Sequence, residues 1–263
     1  MRILLCLLFL AAPALADPAE VDVELYLAVD VSRSMSPAEL EIQRRGYAEA
    51  LRSPDVAEAV AGGLIGEIAL TYVEWAGTYA QRVVVPWTRV RTAADLNAFA
   101  ARLEVHFDPS LRRTSISGAL YHATESLRIN EFKGLRRVVD VSGDGPNNEG
   151  RPVLIARQTA LATGVTINGL PLMTKDGLGQ QWNLDDLDLY YYHCVIGGPG
   201  AFMIPVLDWA EFADAVRRKL VLEIAGLPPD RLWRANTGAT PEGYDCMIGE
   251  KIWERNRRYW GGP

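Results

Sequence analysis

The chain has 263 residues, of which 49% are hydrophobic and 23% charged, and 27 Lys and Arg against 33 Asp and Glu leave a net charge of −6. This is the composition of a globular chain long enough for one large core, or for one domain with additions. The acidic balance provides no basic face for nucleic acid, and no segment after the N-terminal stretch holds about 18 uninterrupted apolar residues, which excludes a later membrane span.

The chain opens with Arg2, an apolar run Ile3 to Leu10, and the small-residue site Ala14-Leu15-Ala16. That order is expected of a secretory signal peptide over residues 1–16, cleaved after Ala16; an uncleaved anchor is the alternative. Cleavage predicts a periplasmic or secreted bacterial protein with no stable membrane insertion. Of the three cysteines, Cys6 leaves with the signal and Cys194 and Cys246 remain. In an oxidising compartment they are expected to form a disulfide, with two buried free thiols as the alternative.

Val23 to Val29 is a near-continuous apolar run, the pattern of a strand buried on both faces. Ser36, Pro37 and Glu39 spell a helix start with a capping box, and Pro54 is expected to close that helix near Ser53. Ile65 to Trp75 and Gln81 to Trp87 read as strands joined through Gly77, too close for a crossover helix and so an antiparallel hairpin. Thr92 to Leu103, with Thr92 as a cap and Asp95 three residues on, and Thr114 to Ile129 have helical patterns. Arg136 to Ser142 reads as a strand, Arg151 to Thr163 as a helix stopped by Gly164, Val165 to Met173 as a strand, and Asp208 to Ala225 as a long helix stopped by Gly226. Strands alternating with helices predict an α/β fold: a doubly wound, mostly parallel sheet with helices on both faces and one antiparallel edge strand. The domain is expected over 17–226, with 227–263 as a C-terminal extension packed on it. Residues 175–205 and the tail exceed a minimal unit.

In open parallel sheets ligands collect at the carboxyl ends of strands. The first strand ends in Asp30-Val31-Ser32-Arg33-Ser34, a later one in Ser142-Gly143-Asp144-Gly145, and Arg113-Thr114-Ser115 opens a helix between them. Alternate positions of extended chain point the same way, so Asp30, Ser32 and Ser34 can converge on one point. With Thr114 and Asp144 they form an oxygen-only donor set, which selects hard cations: Mg²⁺ foremost, with Mn²⁺ or Ca²⁺ as alternatives.

These three segments, DVSRS, Thr114 and SGDG, resemble the metal-ion-dependent adhesion site of von Willebrand factor A domains, in order and in strand–helix rhythm, over about Val23 to Ala225. The stretches TYVEWAG, TSISGAL, VSGDGPNN, INGLPL and VIGGPGAF are similar to a bacterial family of exported A-domain proteins of uncharacterised role. The resemblance implies that Asp30, Ser32, Ser34, Thr114 and Asp144 hold the cation. One or both carboxylates act through water, which leaves the ion attractive to an acidic side chain of a protein partner. Many family members have glycines where Arg112 and Arg113 stand. These two are expected either to steer an anionic partner or to pair with surface carboxylates.

Other residues suggest structural roles. Asp140 is expected to be buried and paired with Arg136 or a backbone donor. His106, His122 and His193 do not cluster. Asn147 and Asn148 are expected to cap the following helix, Gly197 to Gly200 to form a turn, and Tyr190 to Tyr192 to cover the sheet edge or pack near Cys194. The basic, aromatic C-terminus could contact a membrane or partner, or dock on the domain. The function expected is a non-enzymatic binding module; a metal-dependent hydrolase and an envelope-assembly protein are the alternatives.

Overall fold

Strand β1 (Ala19–Asp30) divides the core by alternation. Val23, Leu25, Leu27 and Val29 face one apolar layer, and Tyr26 and Ala28 face the other, as the two-residue period of a strand requires. The computed structural model describes residues 17–104, 111–174, 184–227 and 243–260. The expected signal segment, its Cys6 and His106 lie outside them.

β1 is central in the order β3-β2-β1-β4-β5. β2 (Ile68–Trp75) and β4 (Phe132–Gly143) flank it in parallel, and β5 (Thr166–Pro171) continues in parallel beyond β4. β3 (Gln81–Val90) is the antiparallel edge. Past β5, bridges from Gly169 to Met203 and from Leu172 to Val206 extend the other edge. The segment 201–206, which exceeded the minimal unit, therefore serves as a rudimentary further strand.

Four helices cover the first apolar layer: α1 (Pro37–Leu51), α2 (Pro54–Ala61), α3 (Ala93–Ala101) and α7 (Phe212–Ala225). The second layer packs under α4 (Ile116–Ile129), α5 (Val153–Ala162) and the short α6 (Leu187–Tyr190), which runs into a wide turn at Tyr191–Val195. A last helix, α8 (Ile248–Trp260), ends the described chain.

The capping boxes at Ser36/Glu39 and Thr92/Asp95 form as expected. Gly164 and Gly226 stop their helices with φ of 80° and 67°. Pro54 behaves differently from expectation. Ser53 caps a new helix by accepting from the Val56 amide, and Pro54 takes its first turn, where the missing N–H costs nothing. Pro54 therefore both ends α1 and starts α2. Tyr190 and Tyr191 are buried in the second layer with Cys194, the second of the two expected placements. Cys194 and Cys246 are joined as a disulfide with Cα atoms 5.6 Å apart, so the chain before α8 is tied to the turn after α6.

Asp140 is buried as expected, but its partner is Lys219 of α7, at 2.6 Å. Lys219 also bonds Glu223 and is itself 1% exposed. Arg136 instead donates to the carbonyls of Glu223 and Ile224 at the end of α7. One ammonium thus serves two buried carboxylates across the sheet–helix junction, and burial together with Asp140 pushes the Glu223 carboxyl up to about 7. Replacing Lys219 with Met removes that ammonium. It is expected to cost about 3–5 kcal/mol in urea unfolding, as for a broken buried ion pair. The double change Lys219→Met with Asp140→Asn is expected to recover part of the loss. A stable single variant would contradict this assignment.

Candidate functional site

β1 and β4 run side by side, with Val29 opposite Ser142, so the loops that follow them leave the same edge together. Asp30 is the last residue of β1, and Asp144 follows the last residue of β4. The end of β1 is fixed from α1, where buried Gln43 donates to the Asp30 carbonyl at 2.9 Å. The chain then turns on the Asp30 side chain, whose Oδ1 accepts the Ser32 amide at 2.7 Å. That turn brings Ser32 Oγ to 2.9 Å from Ser34 Oγ, and Ser34 Oγ donates to Asp144 Oδ1 at 2.8 Å. Asp30, Ser32, Ser34 and Asp144 therefore form one chain of oxygens across two loops.

Thr114 reaches the same loop by another route. Its amide donates to Asn148 Oδ1 at 3.0 Å, and the Asn148 amide donates back to the Thr114 carbonyl at 2.8 Å. This two-way clip fixes the Thr114 segment to the loop carrying Asp144. The Thr114 hydroxyl has no hydrogen-bond partner among the described residues and faces Gly145, where an added Cβ would lie 4.0 Å from it. The neighbouring Ser115 caps α4 and also donates to the Glu149 carbonyl. Glu149 accepts from both the amide and the hydroxyl of Thr78.

Asn147 and Asn148 were expected to cap the helix after them, but they serve the one before. Asn147 Oδ1 accepts the Ser117 amide in the first turn of α4, while α5 begins at Pro152 with no side-chain cap. Proximity in sequence suggested α5; the parallel sheet brings the start of α4 to this loop instead. Gln43, Asn147, Asn148 and Glu149 are the supporting residues that motif spacing did not reveal. The cluster of polar residues after Asp144 pointed toward the last three, and nothing in the sequence pointed to Gln43. The histidines stay apart: His122 bonds Tyr26 at 2.7 Å and His193 stacks on Tyr244.

The electrostatics of the pair are unfavourable without a counter-charge. Asp30 is 0% exposed. Burial, then the Asp144 charge, hold its carboxyl well above the ordinary range, against the lowering by the Ser32 amide. Burial pushes Asp144 up to about 6, opposed by the Ser34 hydroxyl and assisted by Glu39. Asp30 Oδ2 is buried with no hydrogen-bond partner. The space beside it depends on Gly143, where an added Cβ would lie 2.9 Å from that oxygen. An orphaned carboxylate oxygen, a second carboxylate and the hydroxyls of Ser32, Ser34 and the adjoining Thr114 are donors of the kind that suits a hard divalent cation. Among the described residues no group of three or more His, Cys, Asp or Glu gathers, so the hydroxyls are indispensable to such a site.

The carbonyl-side loops also explain Arg113. It has φ 75°, the left-handed region that favours glycine, and its guanidinium lies 3.8 Å from the centroid of the Trp253 ring on α8. Of the two roles expected for Arg112 and Arg113, pairing with carboxylates is not seen among the described residues.

A family model described as a protein of unknown function (DUF1194) matches residues 20–228. No curated protein matches the sequence. Among solved structures, the chain is similar to a von Willebrand factor type A protein from Catenulispora acidiphila (14% identity, TM-score 0.51, covering 78% of this chain and 43% of that one). It is also similar to the conserved hypothetical protein BatB from Bacteroides thetaiotaomicron (19% identity, TM-score 0.52, covering 78% and 99%). A third is proximal thread matrix protein 1 from the mussel byssus, in a form with a zinc-occupied MIDAS motif (16% identity, TM-score 0.55, covering 80% and 49%). The chain thus spans about half the length of the mussel protein. At these identities the likeness establishes the fold: an α/β domain of the von Willebrand factor A type.

The raised carboxyl pKa values set the pH dependence in chelator. A carboxyl whose folded pKa is raised stabilises the fold below its unfolded value, near 4, and that stability is lost as pH rises through the folded value. For Asp144 the window runs up to about 6. The stability of the unsubstituted protein relative to Asp144→Asn is therefore expected to fall between about pH 4 and 7, read by chemical denaturation at each pH. A difference independent of pH would contradict the burial of this carboxyl.

Proposed function

The chain belongs to the DUF1194 family, and from that premise we propose that it is an exported binding module. In this reading it holds a divalent cation at Asp30, Ser32, Ser34, Thr114 and Asp144 and recruits an acidic group of a partner protein to that cation. The observation that carries the reading is the buried Asp30 Oδ2, without a hydrogen-bond partner beside a second carboxylate whose pKa burial also raises. Two carboxylates forced together in a poorly solvated place repel each other; a dication removes the repulsion and satisfies the orphaned oxygen. The remaining donors are neutral hydroxyls, so the ion keeps affinity for a further anionic oxygen.

The chemistry of the donors favours Mg²⁺, with Mn²⁺ and Ca²⁺ as alternatives; the neighbour with zinc in its MIDAS motif supports occupancy by a divalent ion. Export to the periplasm or beyond is supported by the residues at 1–16 and by the Cys194–Cys246 bond, which suits an oxidising compartment. No helix among the described residues is long and apolar enough to cross a membrane.

Cation binding to the folded state alone raises stability by mass action, by about 2.7 kcal/mol at a concentration 100 times Kd. Mg²⁺ or Mn²⁺ is therefore expected to raise Tm over the chelated protein, and Asp30→Ala is expected to abolish the rise. An unsubstituted protein whose Tm ignores divalent ions would overturn the reading.

A further inference from the structure

Trp253 of α8 carries a guanidinium on each of two contacts. Arg113 Cζ lies 3.8 Å from its ring centroid, and Arg257 Cζ lies 5.3 Å from it. Neither arginine has a carboxylate partner among the described residues. Two cations attracted to one indole repel each other, and stacking leaves the N–H edges of both guanidiniums free to donate. Three carboxylates nearby in sequence bond elsewhere: Glu149 with Thr78, Glu250 with Asn147 and Asp245 with Lys251. Arg112 and Arg33, which adjoin Thr114's segment and lie between Ser32 and Ser34, are exposed and also without a carboxylate partner among the described residues.

This platform is built rather than incidental. Arg113 adopts a left-handed backbone that costs a non-glycine residue about 1–3 kcal/mol. α8 is seated by three separate contacts: the Cys194–Cys246 bond just before it, Glu250 Oε1 accepting from Asn147 Nδ2 at 2.7 Å, and Gly249 packed so closely on the Asn147 carbonyl that a Cβ would lie 2.1 Å from that oxygen. Asn147 belongs to the loop of Asp144, and Arg113 immediately precedes Thr114. Arg113 is therefore next in chain to one residue of the candidate cation site, and Trp253 and Arg257 lie on the helix seated against the loop that carries another.

We propose that Arg113 and Arg257, held on Trp253, form a second anion subsite beside the cation, so that the partner is a protein segment carrying at least two carboxylates. One carboxylate meets the cation, which rests on the reading above, and another accepts from the guanidinium pair. Charge complementarity selects this occupant: a chain with net charge −6 presents here arginines that, among the described residues, have no carboxylate partner.

The test uses the full oxidised chain in saturating Mg²⁺ with two probes, labelled acetyl-tetraglutamate amide and labelled acetyl-glutamate amide, read by fluorescence anisotropy. Arg257→Gln leaves the fold intact because Arg257 is exposed, and Arg113→Gly suits the left-handed backbone. Each is expected to weaken tetraglutamate about tenfold, the loss of one charge-assisted bond. Each is also expected to leave the single-carboxylate probe and the Mg²⁺-dependent Tm shift unchanged. Tetraglutamate binding equal to that of the unsubstituted chain in both variants would overturn the proposal. So would arginine-dependent binding to phosphatidylserine vesicles with none to tetraglutamate, since the occupant would then be a lipid surface. A missing Mg²⁺ shift with arginine-dependent tetraglutamate binding would remove the cation reading and leave the subsite standing.

Discussion

The ends of β1 and β4 place two carboxylates where water cannot solvate them well, and the surrounding structure is arranged around that fact. Asp30 is fully buried, and its Oδ1 is spent on the Ser32 amide while Oδ2 has no partner. Asp144 is tied to the same spot through Ser34. An arrangement of this kind is unfavourable in isolation. It persists because the sheet register fixes both strand ends, because Gln43 holds the Asp30 carbonyl from α1, and because Asn148 clips the Thr114 segment to the Asp144 loop. The fold supplies rigid positions, and the loops between them supply oxygens.

Much of this was readable from residue pattern. The apolar run of β1, the Ser36 and Thr92 capping boxes, the β2–β3 hairpin and the glycine stops each rest on local chemistry, and local chemistry prevailed. The D-x-S-x-S spacing was readable for the same reason, since an Asx-type turn at a strand end is encoded by the residues that make it. What pattern could not give was anything fixed by partners distant in sequence. Lys219 lies 79 positions from Asp140, and no spacing rule links an α7 lysine to a β4 aspartate. Asn147 was assigned to the wrong helix because the sheet brings the first turn of α4, distant in sequence, to its side-chain oxygen. Pro54 was read only as a stop, although a Ser before it makes an equally good start.

The C-terminal extension changes how the site should be viewed. Within the stretch expected to pack on the domain as an extension, residues 248–260 form a helix that touches the segments carrying both Thr114 and Asp144, through Arg113 on Trp253 and Glu250 on Asn147. Arg113, with its left-handed backbone, lays its guanidinium on α8. Site and extension are thus one structure, and the disulfide that precedes α8 joins it to the second apolar layer.

The central claim is that these loops gather around a single hard cation. Crystals grown with Mn²⁺ and measured at the manganese edge test it most directly. The account predicts one anomalous peak within about 2–2.5 Å, or one water, of oxygens from Asp30, Ser32, Ser34, Thr114 and Asp144. Ordered protein at saturating Mn²⁺ with no peak there, or a peak held by other residues, would contradict it.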